Sequence, residues 1–258
     1  MNTEAKAPLI MITNDDGISA EGIKLLAHIA KRFGDVIVVA PDSANSGKSH
    51  SITVCQPLKV SETNHIQGVQ CYAVSGTPVD CVKIGVHTLL SRKPDIILSG
   101  INHGGNYSSS VHYSGTLGAT REAAMLGILG IGFSYCDYDR HIDLGASEAI
   151  IERVLEYALS TEVSRNTFYS VNIPIGVVKG LKKCRIANGH WNEASVSFED
   201  PYGQKYYWLE GTYINDEENA TDTDMYWLSK GYATLSPVTL DTTDYKNLDK
   251  NYFKDFDI

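Results

Sequence analysis

Leu9-Ile10-Met11-Ile12-Thr13-Asn14-Asp15-Asp16-Gly17 begins the stretch whose reading decides the fold. Leu9–Thr13 is apolar and strand-like. Residues 21–33 follow with Gly22, Leu26, Ile29 and Phe33 at helical spacing, and residues 36–40 are again apolar and rich in valine. Strand, helix and strand in so short a span make a βαβ unit, with parallel strands and a right-handed crossover. A first strand that ends in Asn-Asp-Asp-Gly places two carboxylates at the C-terminal edge of a sheet, where open α/β folds bind their ligands. Like charges this close repel and raise at least one pKa unless a cation lies between them. A hard divalent ion held by carboxylate oxygens is the simplest account of the pair. Neighbouring side chains of an extended strand point to opposite faces, so the two acids converge only if the chain has begun to turn, and Gly17 is placed to allow it. The competing reading is an acidic pair that merely caps a helix in a βα turn.

Further along, the spacing predicts short strands over residues 53–60 and 69–74. It then predicts a helix from Pro78 to about Leu90, capped by Thr77 with Asp80 three residues on. Residues 96–99 read as a buried strand, 100–115 as a loop, 117–126 as a helix and 131–134 as a strand. Residues 144–159 read as a long amphipathic helix, and 168–173 as the closing strand. Beyond Pro174 aromatic residues crowd between Trp191 and Tyr232 with acidic turns, a pattern of antiparallel hairpins of the kind that meets a partner subunit. The expected architecture is a single unit over 1–258: a doubly wound, Rossmann-like three-layer α/β sandwich with a mainly parallel sheet over 1–174, and a C-terminal β-hairpin and helix extension over 175–258 used in oligomerisation.

The totals narrow the function. A net charge of −9 argues against binding a nucleic acid polymer, because phosphate contacts need a basic surface. A phosphorylated substrate must then be captured locally, by a metal or by oriented amides. Five scattered cysteines without a Cys-x-x-Cys pair read as reduced thiols of a cytoplasmic protein. No run approaches the length of a membrane span, so no membrane partner is expected.

Two further loops can share the first one's edge. Asp42-Ser43-Ala44-Asn45-Ser46-Gly47-Lys48-Ser49-His50-Ser51 follows the second strand, where its hydroxyls, glycine and amides can nest an anion and Ser46 can offer a neutral oxygen to a metal. Ser99-Gly100-Ile101-Asn102-His103-Gly104-Gly105-Asn106 follows the later strand and leads to Tyr113-Ser114-Gly115-Thr116. An asparagine carbonyl there is a hard donor, Gly104 and Gly105 permit close backbone approach, and residues 114–116 open a helix whose amides favour an anion. Taken singly, the two loops also read as a solvated turn and a flexible connection. His50, His103 and His112 stand in these loops and read either as substrate neighbours or as exposed loop histidines. His28, His65, His87, His141 and His190 read as structural or surface residues.

Six elements occur in order: Thr-Asn-Asp-Asp-Gly at 13–17, Ala-Pro-Asp at 40–42, Ser-Gly-Lys-Ser-His-Ser-Ile-Thr at 46–53, Gly-Thr-Pro-Val-Asp-Cys at 76–81, Pro-Asp-Ile-Ile-Leu-Ser-Gly-Ile-Asn-His-Gly-Gly-Asn at 94–106 and Tyr-Ser-Gly-Thr at 113–116. Together they resemble the SurE family (survival protein E), the metal-dependent nucleoside-monophosphate phosphatases, over Ile10 to about Ile173, with a weaker echo at 222–237. The resemblance implies that Asp15, Asp16, Ser46 and Asn102 coordinate the metal and that Asn106, Ser114 and Thr116 lie near the phosphate. Asn45, Gly47 and Gly115 complete the candidate phosphate-binding set. It also implies a Rossmann-like fold that forms homodimers or homotetramers through its C-terminal extension. The family's known activities are 5′- and 3′-nucleotidase and, in some members, polyphosphate cleavage. Tyr107-Ser108-Ser109-Ser110 departs from the acidic pair of many members.

The expected reaction is hydrolysis of nucleoside 5′-monophosphates, with 3′-monophosphates and short polyphosphate as further substrates. One Mg²⁺ or Mn²⁺ per subunit is expected, and Asp15 or Asp16 would accept the proton of the attacking water. A haloacid-dehalogenase-type aspartyl phosphatase needs Asp-x-Asp, but Gly17 and Ile18 occupy the positions two beyond the acids. A nicotinamide-binding enzyme needs Gly-x-Gly-x-x-Gly in the first βα turn, which carries carboxylates instead. A non-catalytic nucleotide- or metal-binding module is the remaining alternative.

Overall fold

The computed structural model describes residues 7–139, 144–162, 164 and 166–248; His141 lies outside them. The expected βαβ unit is present as β1 (Leu9–Thr13), α1 (Glu21–Ala30) and β2 (Asp35–Pro41), with β1 and β2 parallel. Then come β3 (Val60–Thr63), β4 (Gln70–Val74), α2 (Pro78–Ile84), β5 (Ile96–His103), α3 (Gly115–Met125), β6 (Leu129–Tyr135), α4 (Gly145–Ser160) and β7 (Thr167–Ile173). The Thr77 hydroxyl accepts from the Asp80 amide while the Asp80 carboxylate accepts from the Thr77 amide, so the expected cap is a full capping box with Pro78 in the first turn. A π turn over Gly85–Leu89 prolongs α2 toward the expected end.

Strand alternation builds the layers. Ile10 and Ile12 face one core, with Ile23, Leu26 and Ile29 of α1 and Ile151, Val154 and Leu155 of α4. Met11 faces the other, with Val39, Ile97, Cys81 and Val82 of α2, and Ala119 and Ala123 of α3. Helices therefore cover both faces of the sheet, and its central strands read as continuous apolar runs for that reason. Among the described residues the sheet has nine strands in the order β3-β4-β2-β1-β5-β6-β7-β11-β8, where β8 is Leu181–Lys183 and β11 is Ala233–Thr239. Only the β3–β4 and β7–β11 pairs are antiparallel. β1 sits between β2 and β5, and α1 and α3 leave toward opposite faces. The loops after β1 and β5 thus splay apart at a switch point.

Residues 53–60 correct the sequence reading: the strand begins only at Val60. Ile52 and Val54 are exposed, and the Thr53 amide and hydroxyl both bond the Asp80 carboxylate rather than a neighbouring strand. β5 also runs further than expected, carrying Asn102 and His103 into the sheet opposite Ser134 and Tyr135 of β6.

Residues beyond Pro174 divide between two roles. β8 and β11 widen the main sheet, while β9 (Gly189–Glu199) and β10 (Lys205–Asn215) form a separate antiparallel hairpin. Its Phe198, Tyr206, Tyr207, Trp208 and Leu209 are exposed. α5 (Asp224–Ser229) links hairpin and sheet. No helix among the described residues is long and apolar enough to cross a membrane.

Candidate active site

The first loop turns because Asn14 folds over it: its Nδ2 donates to the Gly17 carbonyl at 2.9 Å and its Oδ1 accepts from the Gly17 amide at 3.2 Å. Gly17 takes φ +97°, the left-handed region that a side chain would strain. This turn buries Asp15 and leaves Asp16 half-buried. The Thr116 hydroxyl donates to Asp15 Oδ1. Gly115 lies so close that a Cβ there would stand 2.9 Å from Asp15 Cβ and 3.0 Å from Oδ2. Burial pushes the Asp15 carboxyl up to about 6; the Asp16 charge adds to the rise, and the Thr116 bond works against it. Asp16 is also raised by burial, held back by the His103 amide, which donates to its carboxylate at 3.3 Å, and by the His103 ring.

The second loop is pinned to the first and to α3. The Asn45 amide donates to the Asp15 carbonyl at 2.7 Å. Ser49 takes φ +54°, and its amide and hydroxyl donate to the Tyr113 and His112 carbonyls at 3.0 and 2.6 Å. His50 Nε2 lies 3.0 Å from Glu122 Oε2, and Lys83 Nζ lies 2.6 Å from Glu122 Oε1. The Glu122 side chain is only 3% exposed, yet these two partners outweigh its burial and hold its carboxyl below the usual range. Ser46 and Gly47 are left exposed at the loop's tip.

In the third loop Asn102 Nδ2 donates to the Gly104 carbonyl at 2.8 Å, which turns its oxygen the other way. Ser114 caps α3 by accepting from the Leu117 amide at 3.1 Å. Ser108 is held from below, its amide donating to Asp224 Oδ2 at 2.9 Å. Asp224 also accepts from the Ala187 and Met225 amides, at 2.9 and 2.8 Å.

These loops enclose a cleft of about 260 Å³ lined by Asp15, Ser46, Gly47, Asn102 to Asn106, Ser110, Tyr113, Ser114 and Tyr138. Of the residues singled out in the sequence, Asp15, Ser46, Gly47, Asn102, Asn106 and Ser114 line it together. Gly115 and Thr116 lie under Asp15, and Asp16 adjoins the cleft through His103. Asn45 is placed differently: its Nδ2 donates to the carbonyls of Ser43 and Gly76, at 2.8 and 3.4 Å.

Tyr138, Glu122, Ser134 and Asn172 were not singled out. Tyr138 follows β6 with no motif to mark it, whereas Asn172 is a polar residue in an apolar strand, a signal that was available.

The available donors are all oxygens: the two carboxylates, the Ser46 hydroxyl and the Asn102 amide oxygen. Among the described residues no Lys or Arg lines the cleft to neutralise the acids, and His103 Nε2 is buried there with no hydrogen-bond partner among them. Among the described residues no three His, Cys, Asp or Glu side chains gather as a metal site. A cation here would therefore depend on the neutral oxygens as well as the acids, a donor set that fits Mg²⁺ or Mn²⁺ rather than Zn²⁺.

The family described as survival protein SurE matches residues 10–193. The protein named 5′-nucleotidase SurE from Christiangramia forsetii is 44% identical, over 92% of this chain and 93% of its own. Its namesake from Cytophaga hutchinsonii is 41% identical, over 93% and 94%. The crystal structure of the SurE protein from Aquifex aeolicus superposes with a TM-score of 0.80 at 34% identity, over 96% of this chain and all of that one. With the fold, the acidic turn and the order of the loops in agreement, the chain belongs to the SurE family.

Proposed function

We propose that this chain is a 5′-nucleotidase that hydrolyses nucleoside 5′-monophosphates to nucleoside and phosphate at the cleft of Asp15, using one divalent cation per subunit. The carrying observation is an acidic pair at a sheet switch point, Asp15 buried and lining a cleft with neutral oxygen donors and Asp16 half-buried beside it, in a chain over 40% identical to proteins named for this activity. Asp15, Asp16, Ser46 and Asn102 would hold Mg²⁺ or Mn²⁺, which supplies charge withdrawal from the phosphoryl group and acidifies bound water.

The chain's own groups do the rest. The Thr116 hydroxyl restrains the rotamer of Asp15 by committing one carboxylate oxygen, which leaves the other to serve a cation. Asp16, steadied by the His103 amide, is the proton acceptor for a water attacking in line. The first amides of α3, at Gly115 and Thr116, together with Asn106, Ser114 and Gly47, receive phosphate oxygens, since a helix start concentrates unpaired N–H donors. The net charge of −9 makes this local capture necessary. Free thiols at all five cysteines support a reducing, cytoplasmic setting. The exposed aromatic hairpin of β9 and β10, within the 175–258 extension, supports a homodimer or homotetramer.

The test is phosphate release from AMP, GMP, a 3′-monophosphate, short polyphosphate and p-nitrophenyl phosphate, with and without EDTA. Metal-dependent release, lowered by orders of magnitude in Asp16→Asn with the fold intact, is expected. No metal-dependent release from any ester would leave a binding module instead, and a near-normal Asp16→Asn would remove Asp16 from the reaction.

A further inference from the structure

Asn102 of β5 is in register with Ser134 of β6, Ser134 with Asn172 of β7, and Asn172 with Thr234 of β11. A polar row thus crosses four strands from the edge of the cleft into the sheet. All four residues are at most 9% exposed, and Asn172 is 1% exposed. Buried amides are costly unless their hydrogen bonds are made, so what Asn172 bonds is informative. Its Oδ1 accepts from the Asn106 amide at 2.7 Å, and its Nδ2 lies 3.4 Å from the Asn106 carbonyl and 3.2 Å from Ser170 Oγ. One side-chain amide therefore grips both backbone groups of a single loop residue, as a pairing strand would. Ser134 holds the same residue's side chain, with its Oγ accepting from Asn106 Nδ2 at 2.8 Å. An amide nitrogen has two hydrogens, so this bond orients Asn106 and leaves one donor over.

We propose that Asn172 is a positioning residue for substrate phosphate: with Ser134 it fixes the Gly104–Asn106 turn so that Asn106 meets the phosphate without rearranging. This rests on the reading of Asn106 as a phosphate contact. The loop itself has two adjacent glycines and little stiffness of its own; the rigidity comes from strand ends far along the chain. Thr234 supplies an internal control. It occupies the next place in the row, but its buried hydroxyl has no hydrogen-bond partner among the described residues, Asn106 included.

The experiment uses the full-length, metal-loaded enzyme with Asn172→Ala, Asn172→Asp, Ser134→Ala, Asn106→Ala, the Asn106/Asn172 double variant and Thr234→Val. Read out are kcat and KM for AMP, inhibition by inorganic phosphate, Mn²⁺ affinity and Tm. Losing one such bond is expected to raise KM and the phosphate inhibition constant by about tenfold in Asn172→Ala and Ser134→Ala, with Mn²⁺ affinity within about twofold. Asn172→Asp keeps the acceptor for the Asn106 amide and should recover part of the loss. The double variant should be no worse than Asn106→Ala, because both act through one residue. Thr234→Val should bind substrate normally.

A KM rise in Thr234→Val equal to that in Asn172→Ala would reduce the effect to general sheet damage and overturn the proposal, as would additive losses in the double variant. An effective Asn106→Ala beside silent Asn172→Ala and Ser134→Ala sinks this proposal alone. A silent Asn106→Ala sinks the phosphate reading and this proposal with it. Should Asn172→Ala fail to fold, Ser134→Ala and Asn172→Asp decide.

Discussion

Removing the cation from this protein should reveal a stability cost concentrated at Asp15. Its carboxyl rises from the ordinary 3.8 to about 6, mainly through burial. Between those values the native state binds a proton that the unfolded chain has released, so the slope of unfolding free energy against pH is negative there. The Asp15 contribution to the stability of the metal-free protein is then most favourable below pH 4, falls as pH rises toward 6, and is flat above. Each tenfold step in proton affinity is worth about 1.4 kcal/mol. A rise of roughly two steps makes the ionised Asp15 cost about 3 kcal/mol, or about 6 °C in Tm for a chain of this size. Asp16, raised for the same reason, adds to the fall.

Asp15→Asn should remove the Asp15 share. Its amide oxygen can still accept from Thr116, so in EDTA the variant should exceed the wild type by about 3 kcal/mol at pH 7.5 and match it near pH 4, while losing turnover. Saturating Mn²⁺ should reverse the order, because a ligand bound only by the native state adds to its stability. Urea unfolding of both proteins at several pH values, with EDTA and with Mn²⁺, measures all of this. Parallel pH profiles for wild type and Asp15→Asn in EDTA would show that the buried acid is not strained, and the argument for a cation would lose its footing.

Two other substitutions test how the second loop is held. At Gly118 a Cβ would stand 2.2 Å from the Ser49 carbonyl oxygen, a backbone atom. Gly118→Ala should displace the loop carrying Ser46 and lower kcat by about tenfold or more, while helix propensity offsets up to about 1 kcal/mol of the cost in stability; unchanged kcat would refute the docking. Glu122→Ala should destabilise by about 2 kcal/mol, below the range for a fully buried pair because His50 and Lys83 keep access to water. Since its carboxyl is held below the usual 4.5, the contribution of Glu122 is present above that value and fades as pH falls. A denaturation series from pH 3 to 7 should therefore show wild type and variant converging in acid.

The central layers were legible because their residues follow two clear periods: Ile10 and Ile12 against Met11 in β1, and Ile23, Leu26 and Ile29 in α1. The acidic pair was legible because two adjacent carboxylates after a strand have few neutral explanations. The segment over 53–60 misled, because apolar residues suggest a strand whether or not a partner strand faces them. β11 escaped notice because its place beside β7 is set by antiparallel pairing across a long separation, with no local mark. Glu122 carries no local mark within its helix, because its role is set by His50 and Lys83, 72 and 39 positions earlier. The supporting role of Asn172 is likewise invisible in one dimension, since it is defined wholly by what Asn106 presents to it.

Asp224 gathers amides from Ser108, Ala187 and its own helix, and this has a bearing on biosynthesis. Ribosomes deliver the Asp15 turn and all three loops first, and the carboxylate that braces Ser108 emerges more than a hundred residues later. A nascent chain arrested before that point lacks this brace and also the strand that covers β7. The approach to Ser114 is thus steadied from the far end of the polypeptide, and synthesis must pass Asp224 before that support exists.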